Sequence, residues 1–164
     1  MASARISSFA PLAAPGARIL ILGSMPGAAS LAAGQYYAHP RNAFWPVMGV
    51  LFGAGLDKPY DERAAILKAR GVAVWDVLQY CVRPGSLDSD ISDEVPNDFA
   101  SFFRDHPGIG HVYLNGGKAA SAFRKFVGTD CPVVTTQLPS TSPAHAGMSF
   151  EKKLAAWRVI VGRG

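Results

Sequence analysis

The sequence predicts an α/β fold, a three-layer αβα sandwich around a four-stranded parallel sheet. Three observations lead there. Short, wholly apolar runs alternate along the chain with segments of helical periodicity. The runs lack the apolar–polar alternation of a sheet with one wet face, which points to strands covered on both sides. Loops rich in glycine, proline and small polar residues follow the runs, and in such folds ligands bind beyond the carboxyl ends of the strands.

Each element has its own justification. Residues 1–17 contain Pro11 and Pro15, which interrupt any apolar leader, so they read as a short lead into the first strand rather than a targeting segment. Residues 18–23 (RILILG) form that strand, and 23–27 (GSMPG) a Gly/Pro loop. Residues 43–52 place Phe44, Val47, Met48 and Leu51 at helical spacing. Pro46 then falls in the first turn, where its missing N–H costs little. Residues 60–69 (YDERAAILKA) predict a helix closed by Arg70-Gly71, and 72–77 (VAVWDV) a second strand. Residues 83–96 are polar and read as a long loop. Residues 97–105 predict a short helix capped by Asn97, and 111–114 a third strand ending at Asn115-Gly116-Gly117. Residues 118–126 predict a helix, and 131–137 a fourth strand leading into Leu138-Pro139-Ser140. Residues 149–161 close the chain as an amphipathic helix capped by Ser149, with Phe150, Leu154, Trp157 and Val161 on one stripe. Neither a repeat nor a linker divides the chain, so one domain is expected over residues 1–164.

Composition narrows the function classes. With 164 residues and 49% hydrophobic content, the chain can bury a core without staples, which excludes wholesale disorder. Its two cysteines, Cys81 and Cys131, exclude a four-cysteine zinc or iron–sulfur site. The histidines His39, His106, His111 and His145 lack metal-ligand spacing, so no metal is expected. The longest apolar candidate for a membrane span, residues 47–56, is short and interrupted by glycines. A cytoplasmic protein is the expectation. The net charge of +4 is compatible with nucleic acid but does not demand it.

The unusual residues sit in the loops after the strands. In the first loop, glycines permit close backbone approach, and N–H groups can bind an oxyanion. No Gly-Lys-Ser/Thr follows, so this is not a phosphate-binding Walker loop. Residues 36–45 (YYAHPRNAFW) combine aromatics with His39, Arg41 and Asn42 at a loop-to-helix junction. Loop aromatics can stack on nucleobases. Phe44 and Trp45 read as core, Asn42 also fits a helix cap, and Tyr37 and Asn42 stay open between structural and functional roles. Asn115 fits either a turn or a reader of base edges, since its amide offers both a donor and an acceptor. Residues 138–145 (LPSTSPAH) form a hydroxyl-bearing loop suited to phosphate contacts or simply to solvent. Asp88, Asp90, Asp93 and Glu94 read as a solvated loop.

Taken in order, Gly23-Ser24-Met25-Pro26-Gly27, Tyr36-Tyr37, His39 to Trp45, Asn115-Gly116 and Pro139-Ser140-Thr141-Ser142 resemble the uracil-DNA glycosylase superfamily. The pattern, with Ser30-Leu31 and Leu138 to Pro143, is most similar to the deoxyinosine (hypoxanthine) DNA glycosylases. The likeness runs from about Ile19 to Trp157. It implies a four-stranded parallel sheet between helices. It also implies a monofunctional base-excision repair enzyme that flips out a deaminated base, hypoxanthine or uracil, and hydrolyses its N-glycosidic bond.

By the same resemblance, Asn42 is the catalytic residue, orienting water. Gly23, Ser24, Met25 and Pro26 line the base pocket with Tyr37, which stacks, and Asn115, which reads the edge. Ser140, Thr141, Ser142 and His145 hold DNA, with the 139–143 loop entering the minor groove. The chain departs from its relatives at Met25, where many members carry Asp or Asn to position water, and at Leu138, where some carry His or Asn. Ser142 stands where some relatives have a leucine wedge, and Pro143 or Met148 are the replacements in reach. No cofactor is implied. The expected partner is DNA containing a deaminated base, bound by a monomer, with no membrane. The competing readings are a non-catalytic nucleic-acid-binding domain on the same fold, prompted by Met25, and an α/β protein that binds a free nucleotide or other small ligand.

Overall fold

The computed structural model describes residues 5–84, 90–128, 131, 133–145 and 147–163. In chain order the elements are β1 (Arg5–Ser7), β2 (Ile19–Gly23), α1 (Ala28–Ala33), α2 (Phe44–Phe52), α3 (Tyr60–Ala69), β3 (Val72–Asp76), β4 (Leu78–Val82), β5 (Ser92–Pro96), α4 (Phe99–Asp105), β6 (His111–Asn115), α5 (Gly117–Phe126), β7 (Val134–Leu138) and α6 (Phe150–Trp157). A 3-10 helix, Arg158–Arg163, follows α6.

The central sheet is parallel, in the order β3-β2-β6-β7. Every residue of β2, β3 and β6 is buried, as expected for strands covered on both faces. Trp75 of β3 packs on Phe99 and Phe102 of α4, and Phe99 packs edge-on to Phe123 of α5. Phe44 of α2 meets Trp157 of α6 edge-on. These layers form the expected αβα sandwich. The register matters most for function. Gly23 pairs with Asp76, Leu22 with Leu114, and Asn115 with Leu138. Asp76, Gly23, Asn115 and Leu138 therefore form one row along the carboxyl edge of the sheet.

Several elements differ from the sequence expectation. A second, antiparallel sheet, β1-β4-β5, lies outside the alternating pattern. Its β5 (SDEVP) was read as loop because a mostly exposed strand carries no apolar run. Residues 85–89 of that expected loop lie outside the described residues. The lead segment is also structured. β1 pairs with β4, and Leu12 exchanges two 2.9 Å backbone hydrogen bonds with Val74. This covers the outer edge of β3, which would otherwise present unpaired backbone groups. α1 was not anticipated, because six small residues show little periodicity.

The cap of α4 is Asp98, not Asn97. The Asp98 carboxylate accepts from the Ser101 hydroxyl (2.7 Å) and the Ser101 N–H (3.1 Å), which lowers its pKa. Asn97 is buried and donates instead to the Asp76 carbonyl, at 2.8 Å. β7 starts at Val134 rather than at Cys131 and, as an edge strand, is mostly exposed. The closing helix becomes a 3-10 helix after Trp157, and its stripe is rotated. Phe150 and Val161 are exposed, whereas Lys153, Trp157 and Ile160 are buried. Among the described residues no helix is long and apolar enough to cross a membrane.

Candidate active site

A cavity of about 330 Å³ opens at the carboxyl edge of the parallel sheet. Every candidate residue from the sequence lines it: Asn42; Gly23, Ser24, Met25 and Pro26; Tyr37 and Asn115; Ser140, Thr141, Ser142 and His145. Asp76, which sequence reasoning missed, lines it as well.

The first wall is the loop after β2. Val77 N–H donates to the Gly23 carbonyl (2.8 Å) and Leu78 N–H to the Ser24 carbonyl (3.1 Å), binding this loop to the chain leaving β3. The buried Arg83 guanidinium donates to the Pro26 carbonyl from beneath. The N–H groups of Met25 and Gly27 donate to no described residue, so two donors in the cavity wall remain for a ligand. Gly23 is required by space. A Cβ there would sit 2.6 Å from Asp76 Oδ1 and 2.9 Å from the Tyr37 hydroxyl. The missing side chain thus admits both groups into the row between Asp76 and Asn115.

The second wall is the segment before α2. Ala38 N–H donates to Ser30 Oγ (3.0 Å), and Trp45 Nε1 donates to the Tyr36 carbonyl (2.8 Å). The Tyr36 hydroxyl donates to the Ala10 carbonyl at 2.8 Å. Burial, with the Asp76 charge adding to it, pushes the Tyr36 pKa far up and keeps the phenol neutral. These anchors hold Tyr37 at a φ of +55°, a left-handed conformation rare outside glycine. The Tyr37 ring stacks on Phe44 at 4.1 Å and 28°. One face of the ring is therefore already used.

Asn42 sits at the foot of α2. Phe44 N–H donates to its Oδ1 at 2.9 Å. A backbone N–H can only donate, so the atom facing it is the oxygen. No described residue accepts from Nδ2, which leaves the amide hydrogens and one Oδ1 lone pair for a ligand. Asn115 is committed differently. Its Nδ2 donates to Thr141 Oγ1 (3.0 Å) and the Tyr37 hydroxyl (3.2 Å), while its Oδ1 accepts from Thr141 N–H (3.0 Å). Both amide hydrogens are used, so only one Oδ1 lone pair is left to meet a base.

The third wall is the loop after β7. Trp157 Nε1 donates to the Pro139 carbonyl (2.9 Å), and Ala43 N–H to the Thr141 carbonyl (2.9 Å). Ser140 Oγ accepts from Ser142 N–H, and Ser142 Oγ from Ala144 N–H. Each hydroxyl proton remains to be donated. Gly116, at φ +94°, lets this loop approach, since a Cβ there would lie 2.9 Å from Ser140 Cβ.

No group of His, Cys, Asp and Glu among the described residues could hold a metal. The Glu94 carboxylate, read from sequence as solvated, instead pairs with Lys118 at 3.1 Å and Lys125 at 3.8 Å, tying β5 to α5. Asp88 lies outside the described residues.

Comparison with known proteins shows the family and agrees with the fold. A sequence profile described as the Uracil DNA glycosylase superfamily matches residues 10–161, and the chain belongs to that family. It is 35% identical over 143 residues to a hypoxanthine DNA glycosylase of Methanosarcina acetivorans, covering 87% of this chain and 89% of that protein. A hypoxanthine DNA glycosylase of Methanosarcina barkeri is 38% identical over 112 residues, covering 68% and 71%. Among solved structures, a solution NMR structure of a Methanosarcina acetivorans protein, described as a candidate uracil DNA glycosylase, superposes with a TM-score of 0.80. The identity there is 32%, with 96% of this chain and 99% of that one covered.

Proposed function

We propose that the protein is a monofunctional DNA glycosylase of base-excision repair that acts as a monomer on DNA and prefers hypoxanthine, the base of deoxyinosine. Its family and the names of two relatives, each a hypoxanthine DNA glycosylase, support that reading. One observation carries it furthest: loops from all four strand ends bring a stacking ring, an uncommitted amide and a buried carboxylate into one cavity of about 330 Å³. That size lies at the lower end of ligand pockets, about 300–1,000 Å³.

A base inside the duplex stack is out of reach, so the nucleotide must be extruded. The face of Tyr37 opposite Phe44 receives it. The Asp76 carboxylate accepts a hydrogen bond from N1–H of hypoxanthine or N3–H of uracil. Adenine and cytosine carry a lone pair at those ring nitrogens, so an acceptor there disfavours them. As the C1′–N bond breaks, its electron pair moves to the base. The free N–H groups of Met25 and Gly27 stabilise that charge in a site prepared beforehand. Asn42 orients the water whose oxygen bonds to C1′, and the water's proton leaves to the base or solvent. Asn has no useful basicity, so its role is orientation and not proton removal. Ser140, Ser142 and His145 grip the strand. Thr141, expected from the sequence to join them, is buried and bonded to Asn115 and so holds their loop in place.

Labelled oligonucleotides carrying inosine, uracil, xanthine or a thymine mismatch test this directly. After incubation, alkali cleaves abasic sites. Strand breaks at inosine above all are expected. The buried thioether of Met25, where many relatives have a water-positioning group, favours a second reading, a non-catalytic DNA-binding domain. Binding without strand breaks at any base would replace the first reading with the second.

A further inference from the structure

A second cavity, of about 440 Å³, opens beside the first and shares Asn42, Pro143 and His145 with it. Arg41, Met148, Phe150 and Lys153 also line it, with Pro40, Ala43 and Pro46 beside them. Lys153 is the unusual member. It occupies the buried stripe of α6, with the residue only 5% exposed. Of its three ammonium donors, one finds an acceptor among the described residues, the Ser142 carbonyl at 3.5 Å. No described carboxylate pairs with it. Desolvation lowers its pKa, as burial of an uncompensated cation must. A buried charge held so loosely is costly unless an anion joins it.

We propose that this groove seats one phosphodiester of the DNA strand beside the extruded nucleotide, with Lys153 as its buried cationic partner and Arg41 at the rim. The inference rests on the reading of DNA as substrate. The chemistry favours a backbone phosphate in three ways. The groove adjoins the base cavity, as the neighbouring linkage of an extruded nucleotide must. Its charged members Arg41 and Lys153 are cationic. Its apolar wall, which includes Met148 and the exposed ring of Phe150, suits the sugar and base that accompany a phosphate. Lys153 thereby joins the α6 helix to the Ser142 loop and to the DNA at one point.

Duplex binding across a salt series tests the proposal. Lys153→Met and Lys153→Gln are expected to make the slope of log K against log salt shallower by about one, while Lys153→Arg keeps it. Lys153→Gln retains a polar side chain near the Ser142 carbonyl and serves if Lys153→Met does not fold. A walk of single methylphosphonate linkages along the damaged strand then locates the phosphate. One linkage next to the lesion should cost the wild type roughly tenfold in affinity and cost Lys153→Gln nothing further. An unchanged salt slope, or equal sensitivity of both proteins to every linkage, would overturn the site. Base release is read separately. If no oligonucleotide loses a base, the glycosylase reading falls, while the salt slope and the methylphosphonate walk on the same lesion-bearing duplex still decide the phosphate site.

Discussion

The two ends of the parallel sheet build their share of the cavity by different means. On the β3–β2 side the strands are wholly buried, and Ser24, Met25 and Pro26 are buried too. That wall offers backbone N–H groups and one carboxylate. On the β6–β7 side the outer strand is mostly exposed, and its loop presents hydroxyls that use their own backbone as scaffold. A rigid, dry wall suits reactions that need charge placed in advance. A wetter, hydroxyl-rich wall suits a phosphate backbone. The division suggests that chemistry and grip can be damaged separately.

The largest expected effect belongs to Asn42, half-buried at the foot of α2 between the two walls. Asn42→Ala should lower single-turnover base release by about a hundredfold to a thousandfold, the range typical of losing one prepared polar group. Duplex affinity should stay nearly intact. Full activity in that variant would remove Asn42 from the mechanism.

Next comes the carboxylate. Asp76→Asn introduces N–H donors where there was only an acceptor. The preference for deoxyinosine over purine deoxyriboside, whose N1 is a lone pair, should narrow by about tenfold. A constant ratio with a lower rate would mean that Asp76 only supports the wall.

On the grip side, Asn115→Ala removes the acceptor of the buried Thr141 N–H and the donor to Tyr37. Urea unfolding should show a loss of about 1–3 kcal/mol. Unaltered stability would show that the two halves are not tied through this residue.

The smallest effect concerns pH. The Tyr36 pKa is raised in the fold, chiefly by burial, above its ordinary value of 10.0. Its contribution is fully present below pH 10.0 and is lost as pH rises beyond that, because the unfolded chain releases the proton and the folded one keeps it. Tyr36→Phe should flatten this alkaline decline in chemical unfolding. An equally steep decline would assign it to other groups.

The same division explains what the sequence revealed. The apolar runs of β2, β3 and β6 are legible because burial on both faces leaves no polar interruption. The antiparallel sheet is not, since β5 (SDEVP) is an exposed strand and β1 has only three residues. The loop motifs marked Asn42, Tyr37 and Asn115 because their residue types are uncommon together. Asp76 was hidden inside an apolar run, where one carboxylate at the strand end reads as its boundary. Lys153 was hidden because a lysine on a helix is ordinarily solvated. Only the register, which sets Asp76, Gly23 and Asn115 in one row, shows how these groups meet.

Tyr37 is held in its left-handed conformation and backed by Phe44 before any DNA arrives. Such backbone strain is on the order of 1–3 kcal/mol, sustained by the surrounding anchors. The consequence is kinetic. On the role proposed for Tyr37, a platform that needs no assembly to receive a base also needs none to keep it once the bond is cut. Free hypoxanthine is therefore expected to inhibit the enzyme, and turnover to wait on product departure more than on bond cleavage.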